Sequence, residues 1–119
     1  MPARHDFVAE DIPPALLGRI VLFDVLRPGP RLRYRLYGAM LADWYGRDRT
    51  GHLLPLPEET PYPDLVRALV QVAVDGRPMY RVDRFVGSDK RVGAMARLTL
   101  PLSADGQTID MLIGAAERL

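Results

Sequence analysis

The chain has no cysteine. That absence removes disulfides, thiolate metal sites, a cysteine nucleophile and a cysteinyl-flavin adduct together. Lysine is nearly missing too, since Lys90 is the only one among 16 basic residues. The rest are arginines, a bias that codon usage in a GC-rich genome explains without invoking function. No apolar run approaches the ~20 residues a bilayer-spanning helix needs. The N-terminal MPARHDFVAED has no apolar stretch of the signal-peptide kind. Together these absences predict a cytoplasmic location. Charge of one sign is lacking as well: 16 basic against 15 acidic residues leave a net charge of +1. That is no electrostatic footprint for nucleic acid as the main partner. G-x-S-x-G, H-E-x-x-H and phosphate-cradling glycine loops do not occur, so catalysis has little support.

What is present suits one globular domain. A chain of 119 residues with 48% apolar content can build a core without staples. There is no internal repeat, low-complexity stretch or linker. Residues 1–119 are therefore expected to form a single domain, with 1–10 a flexible or partial leader.

Asp11 can cap a helical turn over DIPPALLG, with Gly18 ending it. IVLFDVLR (20–27) reads as a buried strand interrupted by Asp24. After the turn RPGP, residues 31–37 alternate, with Leu32, Tyr34 and Leu36 on one face and Arg31, Arg33 and Arg35 on the other. The two runs predict a hairpin. Residues 39–45 predict a short helix before Gly46, followed by a loop through Leu54. LPLP then forbids regular structure, because each proline removes a donor and constrains its predecessor. A longer helix starts at Thr60 or Tyr62, tolerates Pro61 and Pro63 in its first turn, and ends at Gly76. Leu65, Val66, Leu69, Val70, Val72, Ala73 and Val74 cover most of its circumference, so it is expected to be largely buried. Three strands follow at 79–86, 92–102 and 108–116, the last two joined by a loop containing Asp105-Gly106. Sequential antiparallel strands with helices gathered on one face make an α+β domain.

In that order the pieces resemble the PAS domains, and more closely the short, stand-alone bacterial members. The resemblance rests on DIPPALLGRIVLFDV (11–25), PRLRYRLYGAML (30–41), YGRDRTGHLL (45–54), VDGRPMY (74–80) and RLTLPLSADGQTIDMLIGA (97–115). It implies a PAS-like, five-stranded antiparallel sheet with helices packed on one face. It also implies a sensory or signalling module that binds a small ligand or a partner protein and forms homodimers. No cofactor is specified by it. Such proteins often carry a longer helical leader, whereas ten residues precede Asp11 here, which leaves dimer geometry open.

Candidate pocket walls under this reading are Val66, Leu69, Val70 and Ala73 on the long helix, and Leu98, Leu100, Met111 and Ile113 on the sheet. Trp44, Tyr45 and His52 stand at the edge. Each has a plainer role: Trp44 as core filler, and His52 as a loop residue without a second metal ligand nearby. Arg97 shares a strand face with Met95 and Thr99, while Ala94, Ala96, Leu98 and Leu100 take the other. The Ala/Leu face is the better core, so Arg97 is expected toward solvent; turned inward, it would bind a ligand carboxylate or phosphate. Arg81 and Asp83 share a face of the preceding strand and are expected to pair across the sheet. Met40, Met79, Met95 and Met111 can line an adaptable pocket or fill a core. Two alternatives stand beside the sensor: a ligand-free adaptor working through surfaces such as the Arg31–Arg35 stripe, and a small cone-shaped isomerase or cyclase using Asp24 or Asp110 as base.

Overall fold

The computed structural model describes residues 13–119; the leader 1–10 and the proposed Asp11 cap lie outside the described residues. A single helical turn, α1 (Pro14–Leu17), precedes β1 (Ile20–Leu26) and β2 (Arg31–Tyr37), which form the expected antiparallel hairpin. Their register shifts between Leu22 and Phe23, which face Leu36 and Tyr34 respectively. Arg35 is the extra residue, and this bulge puts Tyr34 and Tyr37 on the same side of the sheet.

A short helix α2 (Ala39–Tyr45) ends at Gly46 with φ of 93°, and α3 (Pro63–Asp75) ends at Gly76 with φ of 73°. Both glycines adopt the left-handed conformation that other residues avoid, which terminates each helix where it does. Strands β3 (Met79–Val86), β4 (Val92–Leu102) and β5 (Met111–Arg118) complete the domain. The sheet runs β2-β1-β5-β4-β3 with every neighbouring pair antiparallel. The helices carry the chain from one edge of the sheet to the other across its inner face.

Two expectations shift on contact with the structure. Strand β5 begins at Met111 rather than 108, because the Asp105 carboxylate holds the preceding loop. It accepts hydrogen bonds from the backbone N–H of Gln107 and Thr108 and from the Ser103 hydroxyl, at 2.7–2.8 Å. Helix α3 is not buried all round: Val66, Leu69, Val72 and Ala73 point inward, while Val74 is 59% exposed.

The inner core joins Phe23, Leu32, Leu41, Leu69, Phe85, Met95 and Leu112. A second cluster of Ile20, Leu102, Met111 and Ile113 gathers separately, with Leu22, Leu36 and Leu100 against it. The start of α2 is pinned by close backbone approach. A Cβ on Gly38 would collide with the Gly18 carbonyl, and the Met40 N–H donates to that same oxygen at 2.9 Å. Only glycine allows this stitch, which seats α2 over the sheet. Among the described residues no helix is long and apolar enough to cross a membrane.

Candidate functional site

Between the sheet and helices α2 and α3 lies a cavity of about 130 Å³. The sheet contributes Val21, Phe23, Tyr34, Tyr37, Arg97, Thr99, Gly114 and Ala116, and the helices add Leu41, Tyr45, Leu65, Val66 and Leu69. Small residues on β5 leave the room. A side chain at Gly114 would come within 3.0 Å of Val21 and 3.3 Å of the Thr99 hydroxyl.

The loop after α2 closes the β2 side. Gly51 N–H donates to the Tyr34 carbonyl at 2.7 Å, Tyr34 N–H to the His52 carbonyl at 2.9 Å, and Leu54 N–H to the Leu32 carbonyl at 2.7 Å. These bonds run the loop along the free edge of β2 and bring Arg49 and Leu54 to the cavity. At the other end, Ser88 ties the β3–β4 turn to α2: its N–H donates to the Trp44 carbonyl and its hydroxyl to the Asp43 carbonyl.

The polar groups of the cavity are phenols, hydroxyls and two guanidiniums. Tyr34 packs against Phe23 with the rings tilted at 39° and their centres 4.8 Å apart, and meets Tyr37 edge-on at 5.2 Å. Burial, reinforced by Tyr37, pushes the Tyr34 phenol up to about 12, although Arg49 and Arg97 pull the other way. Burial likewise raises Tyr37, against the opposing charges of Arg49 and Arg97. Both phenols are therefore neutral at physiological pH. Arg97 lies over the Tyr45 ring, its guanidinium carbon 5.5 Å from the centroid. Desolvation pulls its pKa below the usual value, although arginine stays charged at neutral pH. Its Nε is buried without a hydrogen-bond partner. Among the described residues no Asp or Glu lines the cavity.

The orientation of β4 thus reverses the expectation. Arg97 and Thr99 face inward; the Ala/Leu face turns away, leaving Leu98 44% exposed. Counting apolar side chains misplaced this strand because the outer face is also apolar. Leu98, Leu100, Met111 and Ile113 accordingly lie away from the cavity; Leu100 pairs with Ile113 and Leu102 with Met111 in the outer cluster. Of the other candidates, Tyr45, Val66 and Leu69 line the cavity. Val70 and Ala73 pack in the inner core beside it, as does Trp44, half-buried. His52 is exposed, with Nδ1 at 3.3 Å from the Arg49 carbonyl oxygen. None of Met40, Met79, Met95 and Met111 borders the cavity. Sequence reasoning passed over Tyr34, Tyr37, Arg49 and Thr99, although the clean alternation of β2 already separated Tyr34 from Arg33.

Arg81 pairs with Asp83 within its own strand, at 2.8 and 3.0 Å, rather than across the sheet. Asp24 sits on the outer face with Arg33 and Arg35 each at 3.4 Å. Neither it nor Asp110 borders the cavity. Among the described residues no three His, Cys, Asp or Glu converge to hold a metal ion.

No family model matches the chain, and no curated protein matches it significantly in sequence. Solved structures do match. A LOV protein of Rhodobacter sphaeroides superposes with a TM-score of 0.64 at 13% identity, over 85% of this chain and 58% of that one. An RNA-binding light-oxygen-voltage receptor gives a TM-score of 0.61 at 18% identity, covering 94% of this chain and 35% of the receptor. The PAS domain of a Colwellia psychrerythraea protein gives 0.55 at 10% identity, over 85% of each chain. The chain thus spans little more than half of the Rhodobacter protein. The likeness establishes a PAS/LOV-type α+β fold.

Proposed function

We propose that this domain is a sensory or signalling module that holds a small molecule between its inner sheet face and helices α2 and α3, and passes the signal to a partner protein. The observation that carries this reading is the cavity itself: a largely apolar recess with a few convergent polar groups, as small-molecule sites usually are. The domain works in the cytoplasm as a bacterial homodimer. A second copy docks on the outer sheet face, where Tyr80, Val82 and Leu98 are 69%, 50% and 44% exposed on neighbouring strands. Ligand binding alters those contacts, because the strands that wall the cavity also carry the outer face.

The cavity does not suit a flavin. The chain contains no cysteine for a photoadduct. It has no asparagine either, and its two glutamines, Gln71 and Gln107, are exposed outside the cavity. The paired donors and acceptors that a flavin's pyrimidine edge would need are thus not offered by side-chain amides. No photochemical step is assigned. An adaptor working only through the exposed outer face is the second reading, favoured by the same three apolar side chains.

The test is a thermal-shift screen of small metabolites with native mass measured in parallel. The sensor reading expects at least one class of compound to raise Tm, an effect abolished by Ala116→Leu, which fills the cavity. It fails if no compound does so while Ala116→Leu is as stable as the parent. In that case the native mass decides whether the outer face still pairs two copies.

A further inference from the structure

The arginines of this domain are not treated alike. Arg33 and Arg35 share Asp24, Arg81 meets Asp83, and Arg118 meets Asp89. Among the described residues Arg97 meets no carboxylate and no acceptor takes a hydrogen bond from it; its Nε is buried and unpartnered there. Arg49 borders the same cavity and also lacks a carboxylate among the described residues. Two positive charges therefore share a recess whose other polar groups are neutral hydroxyls. A desolvated charge without a partner is costly, and such sites are normally completed by a counter-ion.

We infer that the cavity takes a small organic carboxylate with an apolar body, its carboxylate on Arg97 and Arg49 and its body against Tyr45, Val66 and Leu69. This rests on the cavity being a ligand site, as proposed above. The guanidinium fork matches a carboxylate in two parallel hydrogen bonds, and Arg97 has such donors free. The Tyr45 ring under Arg97 holds the guanidinium plane in place without consuming an N–H. A phosphate suits the site less well. Its extra charge and oxygens need more donors than two guanidiniums, Tyr37 and Thr99 supply in a recess walled mainly by carbon.

The experiment is calorimetric titration of the intact chain at pH 7 in low-chloride buffer. The probes are sodium benzoate and hexanoate, their uncharged counterparts benzamide and hexanamide, and inorganic phosphate. The carboxylates are expected to bind at least tenfold more tightly than the amides, with phosphate weaker than either carboxylate. Arg97→Met should weaken benzoate at least tenfold, and Arg97→Lys should restore only part of it, because lysine keeps the charge and loses the fork. Circular dichroism checks folding; if Arg97→Met does not fold, Arg49→Met and Arg97→Lys carry the comparison. Equal binding of acids and amides, an Arg97→Met protein with unchanged benzoate affinity, or phosphate binding as tightly as benzoate would each overturn the carboxylate. So would the absence of heat from every probe. Amide binding that Ala116→Leu abolishes would overturn the carboxylate while leaving the sensor cavity standing.

Discussion

Arg81 and Arg97 are direct partners across β3 and β4, and both project to the inner side of the sheet. There the likeness ends. Arg81 is clamped by Asp83 two residues along its own strand and also donates to the Asp64 carbonyl at 3.3 Å. The Asp83 hydrogen bonds, chiefly, raise its pKa. Arg97, one strand further in, has an aromatic ring beneath it and no acceptor among the described residues. The same residue type in adjacent positions is structural at the sheet edge and unsatisfied beside the cavity. A charge that no described carboxylate neutralises marks where a ligand is expected.

Ways to break this comparison differ in size. The largest effect is expected at high pH, where the neutral phenol of the Arg97 site is exposed to titration. Tyr34 keeps its proton to about 12 when folded, against the ordinary tyrosine value of 10.0. Between those values the unfolded chain has lost a proton that the folded state retains, so stability falls as pH rises. The full loss across that window is about 2–3 kcal/mol, measurable by urea unfolding at stepped pH. Tyr34→Phe should flatten the fall. Arg97→Met should raise the Tyr34 pKa further, read from ultraviolet absorbance.

Next in size, Arg97→Met should stabilise the unliganded domain by about 1–2 kcal/mol, since it removes a desolvated charge and keeps an unbranched stem. Arg81→Met should do the reverse. Losing the partner of Asp83 is expected to cost up to about 1 kcal/mol, limited because both side chains are more than a quarter exposed. Opposite signs from adjacent arginines are the specific expectation; equal signs in chemical denaturation would remove the distinction. Smallest of all, Arg33→Ala on the outer face should change stability by no more than about 0.5 kcal/mol, because Arg35 still faces Asp24 and the pair is solvent-screened.

Much of the architecture was legible from local chemistry. Gly46 and Gly76 end helices because their left-handed backbone suits glycine, and the alternation of 31–37 marks a strand whatever surrounds it. The inner and outer faces of β4 were a different matter. Period-two alternation separates Arg97 and Thr99 from Leu98 and Leu100, but cannot say which set turns toward the helices. Hydrophobicity usually decides, and here it misleads, because Tyr80, Val82 and Leu98 give the outer face its own apolar character. The Arg35 bulge is equally silent in sequence, yet it brings Tyr37 onto the same side as Tyr34. Arg49 comes to the cavity only because its loop pairs with the edge of β2, a contact no local pattern encodes.

The central claim is that Arg97 is a charge awaiting a carboxylate. Its side-chain Nε–H resonance in a nitrogen-15 correlation spectrum reports this directly. Saturating benzoate should move the Arg97 resonance downfield while leaving that of Arg81 in place, and benzamide should move neither. An Arg97 signal that stays where it is in benzoate, or moves equally with benzamide, would contradict the account.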